Sequence, residues 1–534
     1  MKKLLVAAVA AAVSFTSVGA DVAVSPSGGP VTLPDGTEFA KSYTSISSAL
    51  SSSEITAGST IWIDEGVYVF TTHIYFNAAK NHGMIFRGIH GAEKTILTYE
   101  NKTTDYFFYP NTPDNPPSFI GLTFRKGYYP GTGVGGGACV QGGAFKEVRD
   151  CVFEDNCVPL TVSGSYGAAC LSTSASGCVV SNCIFRGNGV LEDGTDGGGV
   201  SAIHLGDEAK VYDCYFEGNR AQKHGVFFVG ANSLVRNCHF ITNSVGQGSQ
   251  LGANARVEKC FFISNTNSVP GQYIYSACLF TAYNGISISD SYFTNNVAPM
   301  SACFCASDKT DVTVSNCTFV ANIATELSAG GIYTGARAGV YDCVFVGNKA
   351  FKNSSAAFSV GANSIIRNVL IADSTAVSEP WVAVFGGGSY LENVTAVGNR
   401  STGNSGVALK GNAASDIWIY NCVFADNKMA NGNSGHIYVP KPYGHYYNCH
   451  FDKDATTYIS EDSTFTTGDP MFVDAANGDY RPAKGKSPLV DKGQNRDWMV
   501  GAKDLGKKNA RILGKRVDIG CYEFMPLGLM LLLR

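Results

Sequence analysis

The chain has 534 residues, a formal net charge of −4, only 16% charged residues and 61 glycines. The charge is low and unclustered, so no nucleic-acid footprint is visible. Glycine together with short β-branched runs points away from helices and toward strands and tight turns.

Met1-Lys2-Lys3, the apolar run Leu4–Val13 and the small-residue end Gly19-Ala20 read as a secretory signal peptide over 1–20. Export with cleavage after Ala20 is therefore expected. No later stretch reaches the roughly 18–20 apolar residues that a spanning helix needs. Residues 21–117 read as an N-terminal cap and first turns, with a short capping helix at Thr44–Leu50. Strands follow at Thr60–Phe70, Met84–Gly88 and Thr95–Tyr99, and Asp64-Glu65 is an exposed pair before a glycine turn.

From 118 to 455 one phrase recurs at spacings of 22 to 32 residues, as in Val340-Tyr341-Asp342-Cys343-Val344-Phe345-Val346-Gly347-Asn348. One solenoid turn per copy is the natural reading, and a solenoid grows without splitting its core. The Cys column includes Cys151, Cys183, Cys214, Cys238, Cys260, Cys317, Cys343, Cys422 and Cys449, with Ser291 among its substitutes. Asn or Asp precedes that column in eleven of twelve copies; Phe follows two later and Asn five later. The inward residue of the preceding strand lies three before the Cys, so a straight strand sends the two to opposite faces. A bend at the Asn or Asp, a type that tolerates the left-handed conformation, turns both inward. The prediction is an all-β, right-handed parallel β-helix of about 12–15 three-strand turns, the pectin-lyase-like fold. The 17 cysteines are expected to be mostly buried and reduced, packing as small hydrophobes in a row rather than as a disulfide framework.

After 455 the text changes. Asp469-Pro470-Met471-Phe472, Asn477-Gly478-Asp479-Tyr480, Ser487-Pro488 with Asp491 and Gly493, and Asp518-Ile519-Gly520-Cys521-Tyr522-Glu523 follow in order. This order resembles the C-terminal segment of exported bacterial β-helix proteins labelled choice-of-anchor Q, here over 456–524. The repeats, with Gly142-Gly143-Ala144 and Gly330-Gly331-Ile332, are similar to those of chlamydial polymorphic outer membrane proteins. No β-barrel translocator follows them, so that resemblance does not extend to autotransport. Residues 525–534 form a short apolar tail, a sorting signal or an end cap.

The fold is also that of pectate lyases and polygalacturonases, but fold does not imply function. The polygalacturonase set N-T-D, D-D, G-H-G and R-I-K is missing, as are the arginine-bearing lyase motifs. Glu192, Asp193 and Asp196, with Asp207 and Glu208 nearby, read first as a solvated acidic loop and second as a Ca²⁺ site. His436, His445 and His450 read as surface histidines rather than a metal site. Among the first-strand aromatics, Tyr273, Tyr275, Tyr333 and Trp381 are the candidate ligand-stacking residues, with Phe304 and Phe358 beside them. Core packing is the competing reading for each.

The functional expectation is a secreted or cell-surface rod, attached at the cell envelope or outer membrane and non-catalytic. It acts as an adhesin or glycan binder, is monomeric, needs no cofactor, and has polysaccharide or a neighbouring cell's surface glycan as partner. The alternative is a polysaccharide lyase or glycoside hydrolase with a non-standard site.

Overall fold

The computed structural model describes residues 20–76, 79–101, 105–112, 114–128, 138–140, 144–158, 168–190, 200–222, 224–267, 276–352, 354–377, 381–402, 407–412, 415–453, 462–483 and 486–525. Residues 1–19, where a signal peptide is expected, the acidic stretch 192–196, Tyr273, Tyr275 and the residues after 525 lie outside them. Within them the chain is a right-handed parallel β-helix of about 13 turns. Three stacks run along it: a 30-stranded sheet, an 11-stranded sheet and an 8-stranded sheet.

One turn shows how the phrase folds. Phe227–Val229 belongs to the 11-stranded sheet, and Leu234–Arg236 and His239–Ile241 are the two legs of the bent sheet. Between those legs sits Asn237 at φ 54°, and all twelve corner residues lie between 49° and 57°. Val235 and Cys238, three apart, both point inward as expected. Lys259 adopts the same corner at φ 55° although it lacks the short polar side chain.

Two features add to the expectation. A second left-handed residue closes the second leg, just before the late Asn: Asp155, Thr242, Ser264, Asn295 and Ala321 all lie between 52° and 60°. Thr and Ala enter this region at a cost of about 1 kcal/mol or more, so the surroundings must hold them there. A fourth, two-residue strand then follows in the middle turns, such as Ser244–Val245, and these strands build the 8-stranded sheet. The turns from Arg220 to Ser401 thus carry four strands rather than three.

The late Asn provides the holding force. Asn156, Asn188, Asn219, Asn243, Asn265, Asn296, Asn322 and Asn348 are 0–2% exposed and form one continuous ladder. The backbone N–H and Nδ2 of Asn243 both donate to Oδ1 of Asn265, at 3.1 and 2.9 Å, and Nδ2 also donates to the Phe216 carbonyl at 3.0 Å. From Asn188 to Asn322 each side chain therefore uses both its protons and both lone pairs, so those buried amides carry no unmet donor. Ser374 carries the ladder past one copy that lacks Asn. It ends at Asn427, whose amide meets the buried His436, itself paired with Asp452 at 3.0 Å.

Beside it, nine Phe rings from Phe124 to Phe345 stack at 4.6–5.0 Å and within 7° of parallel. All seventeen cysteines are buried and unbridged. In the Cys column each thiol donates to the carbonyl two residues back, Cys214 to Tyr212 at 3.1 Å, and Ser291 repeats that bond to Ser289 at 2.7 Å. Burial pushes thiols up, Cys178 and Cys305 to about 12.

The ends differ. A helix at Ile46–Ser51, capped by the Ser45 hydroxyl, covers the first turn with Ile46, Ala49 and Leu50. At the other end Phe465–Thr467 adds one more rung beside Cys449–Phe451. The chain then folds back along the outside of the late turns. There the outward residues Leu370, Ala372, Val397, Val423 and Ala425 are buried under Tyr480, Leu489, Leu505, Ile519 and Cys521. Corner side chains dock the segment: Asn393 donates to the carbonyls of Asp518 and Gly520, and Asn421 to that of Gln494. Inside the segment Arg511 and Glu523 form a buried pair at 2.6 Å; burial pushes the Glu523 carboxyl up to about 8.

Asn296→Ala should lower stability by about 3 kcal/mol, because it strands the Asn265 donors and the Phe262 carbonyl. Asn237→Gly, at an exposed corner that glycine adopts freely, should be near neutral. Thermal unfolding of the two variants checks this, and equal melting would refute the division of labour between the columns. Ile519→Ala should cost about 2–5 kcal/mol of local stability, so limited proteolysis should cut within 469–525 while the rod's own far-UV signal persists.

Candidate functional site

Side chains that do not face the core stand in rows along the rod, because stacking in register brings the same position of each turn together. On the 11-stranded sheet the outward row includes His204, Phe228, Gln250 and Phe280, and further on Tyr333, Ser359, Val384, Lys410 and Tyr438. Two of the predicted stacking residues lie on this face. Tyr333 is half-buried, and its hydroxyl is pushed above the usual range by burial and by Cys305 and Asp308. Trp381 is half-buried with the Lys410 ammonium 3.3 Å from its ring centre. The strand Phe358–Val360 separates them, so they do not form one platform. Phe304 and Phe358 point into the core, as the competing reading has it.

Two other outer rows escaped the sequence reading. The first lies on the second leg of the bent sheet, at the position between the Cys and the Phe. Tyr215, His239 and Phe261 stack at 4.5 and 4.7 Å, within 8° of parallel. Ile184 precedes them and Tyr292 follows, tilted 45° at 6.5 Å. Tyr215 is 46% exposed and Phe261 37%. Burial holds the His239 imidazole below the usual histidine range, so it sits in the row as a neutral ring.

The second row lies on the first leg near the C-terminal end. Tyr390 and Trp418 stack at 4.7 Å, and Trp418 and His445 face each other at 6.4 Å. His445 sits between two carboxylates, Nε2 at 3.2 Å from Asp416 and Nδ1 at 3.2 Å from Asp462. Burial opposes its charge, but hydrogen bonds to both aspartates hold the imidazolium above the usual range. The Tyr447 hydroxyl donates to Asp462 at 2.6 Å, and that bond takes it up to about 12. Tyr420 stacks on Tyr447 at 4.9 Å, with Arg496 over its other face at 4.1 Å. In both rows the rings spend their faces on one another and present their edges; a face opens where the stacking loosens, at Phe261–Tyr292 and Trp418–His445.

The three histidines singled out from sequence do not share a site. His436 caps the Asn ladder, and the buried His450 bonds Thr466 and the Gly468 carbonyl at 2.9 Å each, leaving His445 alone in the surface row. Asp207 accepts from the Ala231 N–H and Glu208 from Ser176. Among the described residues no three His, Cys, Asp or Glu side chains converge as a metal site. Several outward carboxylates are tied to arginines of a neighbouring turn. Burial works against it, yet Arg186 at 2.6 Å and Arg125 keep Glu154 ionised below its ordinary range. Asp311, hydrogen-bonded to Arg337, is held down at about 2.

A family model described as a right-handed beta helix region matches residues 111–278. Among curated proteins no match is found. Solved structures with similar chains include a mannuronic acid-specific polysaccharide family 6 lyase from human gut microbiota: 12% identity, 78% of this chain and 87% of that one, TM-score 0.34. A PL6 alginate lyase in complex with a trisaccharide is 11% identical over 79% of this chain and 89% of that one, with TM-score 0.38. A pectate lyase is 11% identical over 95% and 98%, with TM-score 0.28.

Proposed function

We propose that this protein is an exported, non-catalytic rod that binds polysaccharide along its outer faces. The observation that carries this reading is the row Tyr215–His239–Phe261, exposed and repeating at the rung spacing, because an extended glycan lies along such a strip without any one residue dominating. Aromatic rings supply a large contact area that needs little ordering on binding. The second row at Tyr390–Trp418–His445 offers the same surface nearer the C-terminal end. Attachment at a cell surface and recognition of another cell's glycans belong to the same proposal, supported by the signal-peptide pattern and by the resemblance of 456–524.

A second reading, a lyase or hydrolase, has one observation behind it: Asp416, His445, Asp462 and Tyr447 form a connected set of proton-transfer groups beside Trp418. Hydrogen bonds to both aspartates raise His445 above the ordinary histidine range, which suits an anchor for the two carboxylates better than a base.

Residues 21–534 should be retained on at least one immobilised polysaccharide, without releasing reducing or unsaturated ends. Phe261→Ala and Trp418→Ala should each weaken retention by roughly 5- to 30-fold, the scale of a stacked aromatic contact of about 1–2 kcal/mol. Products that vanish in His445→Ala, with folding intact, would establish the enzyme instead. By NMR, His445 should titrate above the ordinary histidine value and His239 and His450 below it. Because the folded value of His445 exceeds the unfolded one, its contribution to stability is present below about pH 6.5 and is lost as pH rises through the folded value.

A further inference from the structure

The last rung of the rod, Phe465–Thr467, lies against Cys449–Phe451 with all three of its residues exposed, and Phe465 meets Phe451 edge-on at 5.8 Å. Burial contributes little to such a rung, so it depends on polar fastenings to the turn before it. Ser463 and Thr464 accept from the backbone N–H groups of Tyr446 and Asn448 at 3.2 and 2.9 Å, and those bonds do not titrate. The other fastenings run through two histidines that need opposite protonation states. His445 has Nδ1 3.2 Å from Asp462, which leads into the rung, and Nε2 3.2 Å from Asp416. Ionised carboxylates only accept, so this bridge is complete when the ring carries both its protons. His450, 0% exposed, has Nδ1 2.9 Å from the Thr466 hydroxyl and Nε2 2.9 Å from the Gly468 carbonyl. A carbonyl also only accepts, so Nε2 holds the proton and Nδ1 of the neutral ring accepts from Thr466. A second proton would reverse the Thr466 bond and put a charge where water does not reach.

We propose that these two histidines fasten the last rung only within a bounded pH range, the imidazolium of His445 holding Asp462 and the neutral imidazole of His450 holding Thr466 and Gly468. The groups that face each ring set the direction of each limb. Around His445 burial opposes the charge, but Asp416 and Asp462 outweigh it and hold the ring above the usual histidine range. The nearby Tyr447 hydroxyl donates to the same Asp462 at 2.6 Å. Around His450 burial is the largest influence and holds the ring below that range, against the Gly468 carbonyl and the charges of Asp452 and Asp469. His436, paired with Asp452 at 3.0 Å, adds to the lowering. What His445 contributes is present below its unfolded value of about 6.5 and is lost as pH rises through the folded value. What His450 contributes is present above about 6.5 and is lost as pH falls through its own folded value. Both fastenings are therefore in place together only in the interval between, and on either side the rod ends on a looser rung.

The test is amide hydrogen exchange of residues 21–534, read at 462–468 from about pH 5 to about pH 8.5 and corrected for the intrinsic pH dependence of exchange. The central rung Thr318–Val320 serves as the internal reference. Protection of the last rung should pass through a maximum at about pH 6.5 and fall several-fold toward either end, while the reference rung stays level. His445→Gln should hold the rung at its alkaline level throughout the upper half of the range and leave the acid fall in place. His450→Gln should remove the acid fall and leave the alkaline one. In the parent chain the midpoint of the acid fall should coincide with the titration of His450 followed by NMR, which keeps that limb testable if the buried variant does not fold. Protection that is level across the range, or a fall that follows neither its variant nor the titration of its histidine, would overturn the proposal.

Discussion

Once per turn the backbone passes through a residue at φ near 55°, and the inward direction of both legs of the bent sheet depends on it. Without that corner, Val235 and Cys238 would face opposite ways and the turn would have no closed interior. In-register parallel stacking then places every inward residue against its own kind in the next turn. Such a rule is punishing for most polar side chains, because it puts like beside like. Asn is the exception, since its amide carries donor and acceptor together and an identical neighbour completes it. The buried ladder from Asn156 to Asn348 is that solution. It also fixes the second left-handed residue, where Thr242, Ser264 and Ala321 stay in a conformation that they would leave in isolation.

The same rule explains what the sequence made legible. Corner, Cys, Phe and late Asn columns repeat because the core repeats, so four positions per turn can be read directly from spacing. The second corner is legible in most copies, where Gly187, Gly218, Gly347, Gly398, Asp155, Asn295, Asp373 and Asp426 are types that tolerate it, and is hidden at Thr242, Ser264 and Ala321, whose conformation the surroundings impose. The fourth strand, two residues long, is too short to carry a period. Docking of the C-terminal segment joins Asn393 to Asp518 across 125 residues, and no local pattern marks such a contact.

The candidate site was less legible than the fold, and for a related reason. Attention to the first-strand aromatics led to Tyr333 and Trp381, which do stand outward but two rungs apart, while Tyr273 and Tyr275 fall outside the described residues. The longer row that does assemble comes from single residues 22 to 31 apart, each next to a column Phe that overshadows it. Tyr215 precedes Phe216, His239 precedes Phe240, Phe261 precedes Phe262, and Tyr292 precedes Phe293. Reading down the position between Cys and Phe, rather than along the chain, would have found the row.

Rows of outward charge face the stacking rule as well. Identical carboxylates on successive turns would repel across the rung spacing, and the rod alternates sign instead: Arg125, Glu154 and Arg186 occupy one column in consecutive turns, and Arg236 faces Glu258. This arrangement has a chemical consequence. A carboxylate gripped by arginines is held ionised, which removes it from service as a proton donor near neutral pH. The carboxyl most strongly driven the other way, Glu523, is sealed inside the C-terminal segment against Arg511, beyond the reach of a substrate. Among the described residues, then, the ion pairs that link turns also hold Glu154 and Asp311 ionised, and beside them the outer faces present aromatic edges and fixed charge. A connected set of proton-transfer groups, around His445, stands at the margin where the C-terminal segment interrupts that pattern.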